Sequence, residues 1–364
     1  MDLFSNRYQG KKVLVTGHTG FKGSWLVFWL NKLGAEVYGI SNQIITNPSH
    51  YELISPVVKS FMIDIRDKIT LQNKIIEIQP DIIFHLAAQP LVRYSYKEPV
   101  ETFETNMMGT VNVLASCLLL SNCKGIVVVT SDKCYENFED DRPYNEDDRM
   151  GGYDPYSASK GAVELIVNSF RNSFFNTKDF NTKHNFIIAS ARAGNVIAGG
   201  DWSEDRLIPD LVKNYIKGKI TVVRSPFSTR PWQHVLEPLS GYLLLGQKII
   251  EGDVAVARGW NFGPENNDIL TVKTVIEMAS EVWNELKFDF PIMNNQLHEA
   301  SLLRLDCTKA NQLLNWYPVW GMNEVIQKTI YWYKDFYLNK QIRTELDLIE
   351  YIMAAKAKDI IWAR

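Results

Sequence analysis

Tyr156 and Lys160 stand four residues apart in the run YSASK, which puts a phenol and an ammonium on one face of a helix. A phenol with an ordinary pKa of about 10 is a weak base at neutral pH, and a lysine charge one turn away is expected to lower that value. Far upstream, VLVTGHTGFKG at 13–23 reads as a strand entering a glycine turn and then a helix. Gly17 permits the tight turn, Gly20 lets the backbone approach a phosphate, and Gly23 permits close helix–strand packing. The free N–H groups and dipole of the helix start favour an anion. An ordinary βα turn is the alternative, but position in the first βα unit favours a nucleotide site. A dinucleotide cradle together with an acid/base tyrosine is equipment for moving hydride.

A second constellation is Thr130, Ser131, Asp132 and Lys133, at the end of the fifth expected strand. A hydroxyl there can hold a reacting oxygen beside Tyr156. The Asp132–Lys133 pair is more than hydride transfer needs; its plain alternative is a solvated ion pair. The second strand ends VYGISN, with Ser41 or Asn42 where NAD enzymes often carry an acid, and no arginine lies there to meet a 2′-phosphate. The choice between NAD and NADP stays open on these residues. Asp64 suits an adenine amine, a helix N-cap, or both.

The elements that position these groups alternate. Strands are expected near 12–16, 36–40, 59–63, 81–86, 125–131 and 186–191, with helices near 21–33, 68–78, 99–120 and 155–170. That rhythm is α/β, a doubly wound parallel sheet of Rossmann type, with ligands beyond the carboxyl ends of the strands. After about residue 192 the pattern becomes a smaller mixed lobe, with helices near 206–217, 237–247, 271–283 and 307–314. The division expected is a dinucleotide domain over 1–191 with a returning segment at 229–262, a substrate lobe over 192–228 and 263–340, and a helical tail over 341–364. Leu346, Ile349, Ile352 and Met353 could form one stripe of that tail, packed on the body or on a partner subunit.

A hydrophobic content of 46% and a charged content of 22% suit a soluble globular protein, and a net charge of −3 argues against nucleic acid or an anionic membrane as partner. The opening MDLFSNRYQGKK has no apolar core, so no signal peptide is expected, and LVFWL at 26–30 is too short to span a bilayer. Cys117, Cys123, Cys134 and Cys307 lack metal-ligand spacing and read as reduced thiols in a cytoplasmic protein without a metal site.

Taken together the chain resembles the extended short-chain dehydrogenase/reductase family, and within it the CDP-glucose 4,6-dehydratase branch. The stretches that carry the likeness are GHTGFKGSWL at 17–26, HLAAQPLVR at 85–93, TSDKCYEN at 130–137 and DPYSASKGAVEL at 154–165. ARAGNVI at 191–197, GGDW at 199–202, DRLIPD at 205–210, RPWQHVLEPLSGYL at 230–243 and WNFGP at 260–264 continue it to about residue 320. Ala198 departs from an expected glycine, and nothing after Lys340 matches a family motif.

The resemblance implies NAD held by Gly17, Thr19, Gly20, Phe21, Lys22, Gly23, Asp64, Ile65, Leu86, Ala87, Ala88, Asn106, Thr130, Tyr156, Lys160 and Arg192. It implies a CDP-hexose held by Gln89, Arg93, Asn195, Arg206, Leu207, Arg224, Arg230 and Arg304, each arginine having a surface salt bridge as its alternative. Trp202 is either a base-stacking surface or a core anchor; Trp232 and His234 read as core. The implied chemistry uses Tyr156 at the C4 hydroxyl, Ser131 beside it, Asp132 as acid for the C6 hydroxyl, and Lys133 as C5 base or as a polarising group. A basic role would require a lowered lysine pKa. Hydride returned to C6 yields a 4-keto-6-deoxy sugar. Cytidine rests on the resemblance alone, as does a homodimer formed through helices flanking the sheet. Two other readings share the fold: a nucleotide-sugar epimerase or reductase, or a dehydratase of another nucleotide class. A dinucleotide sensor without catalysis is a third, disfavoured by the presence of Tyr156, Lys160, Ser131 and Asp132.

Overall fold

The computed structural model describes residues 2–138, 142–265, 270–291 and 303–364. Strands β1 (Lys12–Thr16), β2 (Glu36–Ser41), β3 (Lys59–Met62), β4 (Ile82–His85), β5 (Gly125–Val129), β6 (Ile187–Ala193) and β7 (Gly259–Phe262) form one parallel sheet, in the order β7-β6-β5-β4-β1-β2-β3. Helices cover both faces, so the inner strands are unbroken apolar runs such as GIVVV in β5, buried throughout. Successive residues serve opposite cores: Ile126 and Val128 pack on one side, Val127 and Val129 on the other.

The chain lays β2 and β3 to one side of β1 and then crosses to place β4 on the other. The crevice where strand order reverses opens at the carboxyl ends of β1 and β4, the place where such sheets take ligands. Helices α1 (Phe21–Lys32), α2 (Lys68–Ile78), α3 (Gly109–Cys117), α4 (Pro155–Ser173), α5 (Leu207–Ile216), α6 (Leu236–Ile250), α7 (Val272–Val282), α8 (Met322–Lys334) and α9 (Thr344–Ala357) surround it. The strand β7 returns to the sheet edge beside β6.

Two expectations need correction. The helix foreseen over 99–120 is interrupted: Pro99–Phe103 and α3 are joined by a wide π turn at Glu104–Met108. In the tail, Leu346, Ile349 and Met353 are exposed, and the buried face is Leu348, Tyr351, Ile352 and Ala355. The helix is rolled so that Tyr351 stacks on Trp362 and donates to Glu237 Oε2 at 2.7 Å. Aromatic rings bury more area than Leu or Met, so they decide which face turns inward. The same Glu237 carboxylate accepts the backbone N–H groups of Val319 and Trp320 at 2.9 Å each, fixing the tail to the body.

Candidate active site

The crevice holds a cleft of about 640 Å³ that runs from the glycine turn past α4 to the loops before and after α5. Its floor begins at Gly17, where φ is +75° and a Cβ would lie 2.7 Å from the Ala87 backbone nitrogen. Any side chain there would push β1 and β4 apart. A Cβ on Gly23 would collide with the Gly17 carbonyl oxygen, whereas Gly20 meets no neighbour but that oxygen, at 3.3 Å. Gly20 caps α1 without a side-chain hydrogen bond, leaving the first N–H groups of the helix for an anion. This cradle fits a dinucleotide pyrophosphate.

His18 closes the turn, with its ring nitrogens 2.9 Å from Ser41 Oγ and 2.7 Å from Ser60 Oγ. Burial carries its pKa down to about 4, so it is neutral at working pH. Ser41, also bonded by the Thr19 N–H, is engaged within the protein. Asp64 lines the cleft but pairs with Arg66 at 2.6 Å, and that pairing holds its carboxyl below the usual range. The N-cap of α2 is Asp67, not Asp64.

Across the cleft α4 starts at Asp154, whose carboxylate accepts from Ser157 N–H at 2.9 Å, and Pro155 pre-sets the first helical φ. Tyr156 therefore sits in the first turn, its N–H held by Ser95 Oγ at 3.1 Å. Lys160 Nζ lies 6.0 Å from the Tyr156 ring centroid. The expected lowering of the phenol pKa is not what the structure produces. Burial dominates and pushes Tyr156 up to about 12, against a hydrogen bond with Ser131 and the charge of Arg206. Burial also lowers Lys160 to about 8 and Lys22, which faces Asp132, to about 7.

Ser131 opens a short 3-10 turn, accepting from Lys133 N–H at 3.2 Å and donating to Asp132 Oδ1 at 2.9 Å. Asp132 is 2% exposed, and its Oδ2 has no hydrogen-bond partner among the described residues. Burial raises its pKa, while Lys133, Ser131, Lys22 and Arg230 act in the opposite sense. The net effect is a carboxyl that holds a proton more tightly than an ordinary aspartic acid does.

Of the residues singled out from sequence, Thr19, Phe21, Ile65, Leu86, Ala87, Ala88, Thr130, Gln89, Arg93, Asn195, Leu207, Arg224 and Arg230 also line this cleft. Thr130 turns its hydroxyl to Glu164, and the Gln89 amide is taken up by Leu91 and Thr102. Arg206 is anchored to Asp201 at 2.8 Å. Arg93 and Arg224 both reach Asp205 Oδ1 at 3.2 Å; this carboxylate was not anticipated.

Three residues fall outside the cleft lining. Arg192 is buried under the sheet, paired with Glu164 at 2.9 Å and with the Tyr135 hydroxyl at 2.7 Å. Burial pushes Glu164 up, but Arg192, Thr130 and Ser190 outweigh it and hold the carboxyl ionised. Asn106, inside the π turn, exchanges hydrogen bonds with the Gln89 backbone at 2.8 and 3.1 Å and donates to Ser159 Oγ at 2.9 Å. It ties the loop after β4 to α4. Arg304 lies away from the cleft, where its carbonyl accepts from the Tyr144 N–H at 2.9 Å. Trp202, which does line the cleft, packs against Trp332, Tyr333 and Phe336.

A reversing parallel sheet with Tyr156 and Lys160 under its crevice defines an extended short-chain dehydrogenase/reductase. The chain belongs to the GDP-mannose 4,6-dehydratase family, whose profile matches residues 14–329. It is 47% identical over 331 residues to a CDP-glucose 4,6-dehydratase of Salmonella typhimurium, covering 90% of this chain and 92% of that one. An epimerase from Methanothermobacter thermautotrophicus superposes with a TM-score of 0.79 at 24% identity, over 93% of this chain and 96% of that one. A dTDP-glucose 4,6-dehydratase from Streptomyces venezuelae, solved with NAD bound, gives 0.74 at 21%, over 89% and 97%. These two structures speak to the fold alone. No helix among the described residues is long and apolar enough to cross a membrane, and no group of His, Cys, Asp and Glu there could hold a metal.

Proposed function

We propose that the protein is a hydro-lyase that converts CDP-glucose into CDP-4-dehydro-6-deoxyglucose with a retained NAD. The observation that carries this reading is the placement of Asp132, buried and with a free oxygen, in the same cleft as Tyr156 and the glycine cradle. An epimerase or simple reductase has no use for an acid there. NAD bound on Gly17, Gly20 and Gly23 would accept hydride from C4 and return it to C6. Tyr156, with Ser131, takes the C4 hydroxyl proton; the ketone so formed acidifies C5. Lys133 is assigned to C5, and Asp132 gives its proton to the departing C6 hydroxyl. Arg93, Arg206, Arg224 and Arg230 supply the cations for a diphosphate, with Asn195, Leu207 and Gln89 along the same wall.

The 47% identity to the Salmonella enzyme supports cytidine as the base. A division into a dinucleotide domain and a substrate lobe belongs to the same reading. So does a homodimer, supported by the exposed apolar Val100, Met108 and Leu165 on helices flanking the sheet. Four free thiols suit a cytoplasmic setting. Purified protein offered CDP-, dTDP-, GDP- and UDP-glucose should release water from the CDP sugar without added reductant. Formation of a 4-epimer, or a requirement for stoichiometric reduced nicotinamide, would overturn the assignment.

A further inference from the structure

Asp132 and Lys133 sit on one short 3-10 turn, Asp132–Cys134, that follows β5. Such a turn is a weak support, because its hydrogen bonds are poorly aligned and it seldom runs beyond a few residues. Its own ties are the Cys134 N–H on the Ser131 carbonyl at 3.2 Å and the contacts of the Ser131 hydroxyl. The dehydratase reading nevertheless requires it to hold an acid at C6 and a second group at C5 of one sugar ring. A misplacement of about 1 Å in such an arrangement costs about 10²-fold in rate. The rigidity must come from outside the turn.

It comes from α4. Tyr156, Lys160 and Glu164 follow one another at four-residue spacing, so the helix face that carries the reacting pair also carries a carboxylate. Glu164 is buried; its Oε1 accepts from the Thr130 hydroxyl, and its Oε2 accepts from Ser190 Oγ at 2.7 Å and Arg192 Nη2 at 2.9 Å. The same guanidinium turns Nη1 to the Tyr135 hydroxyl at 2.7 Å, and that hydroxyl donates to Asn261 Oδ1 at 2.7 Å. Thr130 and Tyr135 flank the segment Ser131–Cys134 on either side, and one buried ion pair grips the hydroxyls of both. Between them Gly161 lets α4 lie against the turn, since a Cβ there would come within 3.0 Å of the Cys134 carbonyl oxygen.

We propose that Glu164 and Arg192 are positioning residues for the elimination step: through Thr130 and Tyr135 they clamp both ends of the turn and hold Asp132 and Lys133 in register with Tyr156. Neither residue lines the cleft, so each acts through the groups it grips. Arginine suits the task because its planar fork reaches a carboxylate and a phenol at once in fixed directions. A charge-assisted pair also holds its geometry better than neutral hydrogen bonds would. Loosening the clamp leaves Tyr156 and Lys160 in place on α4 and the glycine cradle in place between β1 and α1. What it frees is the turn that carries the elimination dyad.

The clamp rests on the dehydratase reading, and wild-type turnover of CDP-glucose is the control for that reading. The test removes the grips and leaves the ion pair intact. Tyr135→Phe, Thr130→Val and Thr130→Ser are mixed rapidly with CDP-glucose, with C4 oxidation followed by nicotinamide absorbance, water loss by product mass and folding by thermal melts. In Tyr135→Phe and Thr130→Val the rate of water loss relative to C4 oxidation should fall by about 10–10²-fold, so that reduced nicotinamide builds up during turnover. Thr130→Ser, which keeps a hydroxyl, should bring that ratio back to the wild-type value. Should Thr130→Val fail to fold, Tyr135→Phe, which deletes a single oxygen, carries the comparison. A lower melting temperature with an unchanged ratio would make the pair a matter of stability alone and overturns the clamp, and so does equal slowing of the two steps. Failure of the wild type on CDP-glucose would instead sink the dehydratase reading.

Discussion

Replacing Asp132 by Asn isolates the elimination step. The carboxyl is 2% exposed, its Oδ1 bonded to Ser131 and its Oδ2 unpartnered. An amide of the same shape keeps the Ser131 contact. It leaves a donor without an acceptor, worth about 1–3 kcal/mol, offset by removal of a buried acid. The fold should therefore survive. What disappears is a positioned proton for the C6 oxygen, and general acid catalysis contributes about 10²–10⁴-fold, or ~3–5 kcal/mol of barrier. Rapid mixing with CDP-glucose separates the steps, C4 oxidation being read by nicotinamide absorbance and water loss by product mass. Asp132→Asn should retain the absorbance change and lose water 10²–10⁴-fold more slowly, on the order of that acid contribution. Dehydration within about threefold of wild type would remove Asp132 from the mechanism.

Other substitutions probe the remaining parts. Tyr156→Phe should bind nucleotide yet show no absorbance change on mixing with substrate, because the C4 proton has no acceptor. Arg192→Met should lower stability by about 3–5 kcal/mol in denaturant titrations, since it strands buried Glu164, while cofactor affinity of the folded protein holds. A comparable loss of cofactor affinity without destabilisation would return Arg192 to the site. Burial raises Glu237 and Asp347 from 4.5 and 3.8 to about 7, so each binds its proton more tightly folded than unfolded. Their contribution is complete in acid below their unfolded values and is lost as pH rises through about 7. Melting temperature should be higher near pH 6 than near pH 8, roughly the window of those two groups, and Glu237→Gln with Asp347→Asn should flatten the difference.

Much of the site was legible because its motifs are local. GHTGFKG is confined to one turn, where Gly17 and Gly23 are forced by backbone contacts that a Cβ would violate. YSASK lies in the first turn of a helix whose cap, Asp154–Pro155, is adjacent in sequence. Arginines were less readable, because an arginine does not announce its partner. Arg192 met Glu164 from another element, and Arg93 and Arg224 converged on Asp205, which lies 112 and 19 residues away from them in the chain. Asn106 was placed correctly near α4, but its partners depend on the π turn, which apolar periodicity does not reveal. In the tail, the choice of inward face was made by Trp362 and Glu237, neither of which belongs to α9.

The fate of one hydrogen tests the central claim most directly. CDP-glucose carrying deuterium at C4 should yield a 4-keto-6-deoxy product with that deuterium on the C6 methyl, since a single cofactor takes it and gives it back within one cleft. Deuterium retained at C4, or released to solvent or to free reduced nicotinamide, would contradict the account.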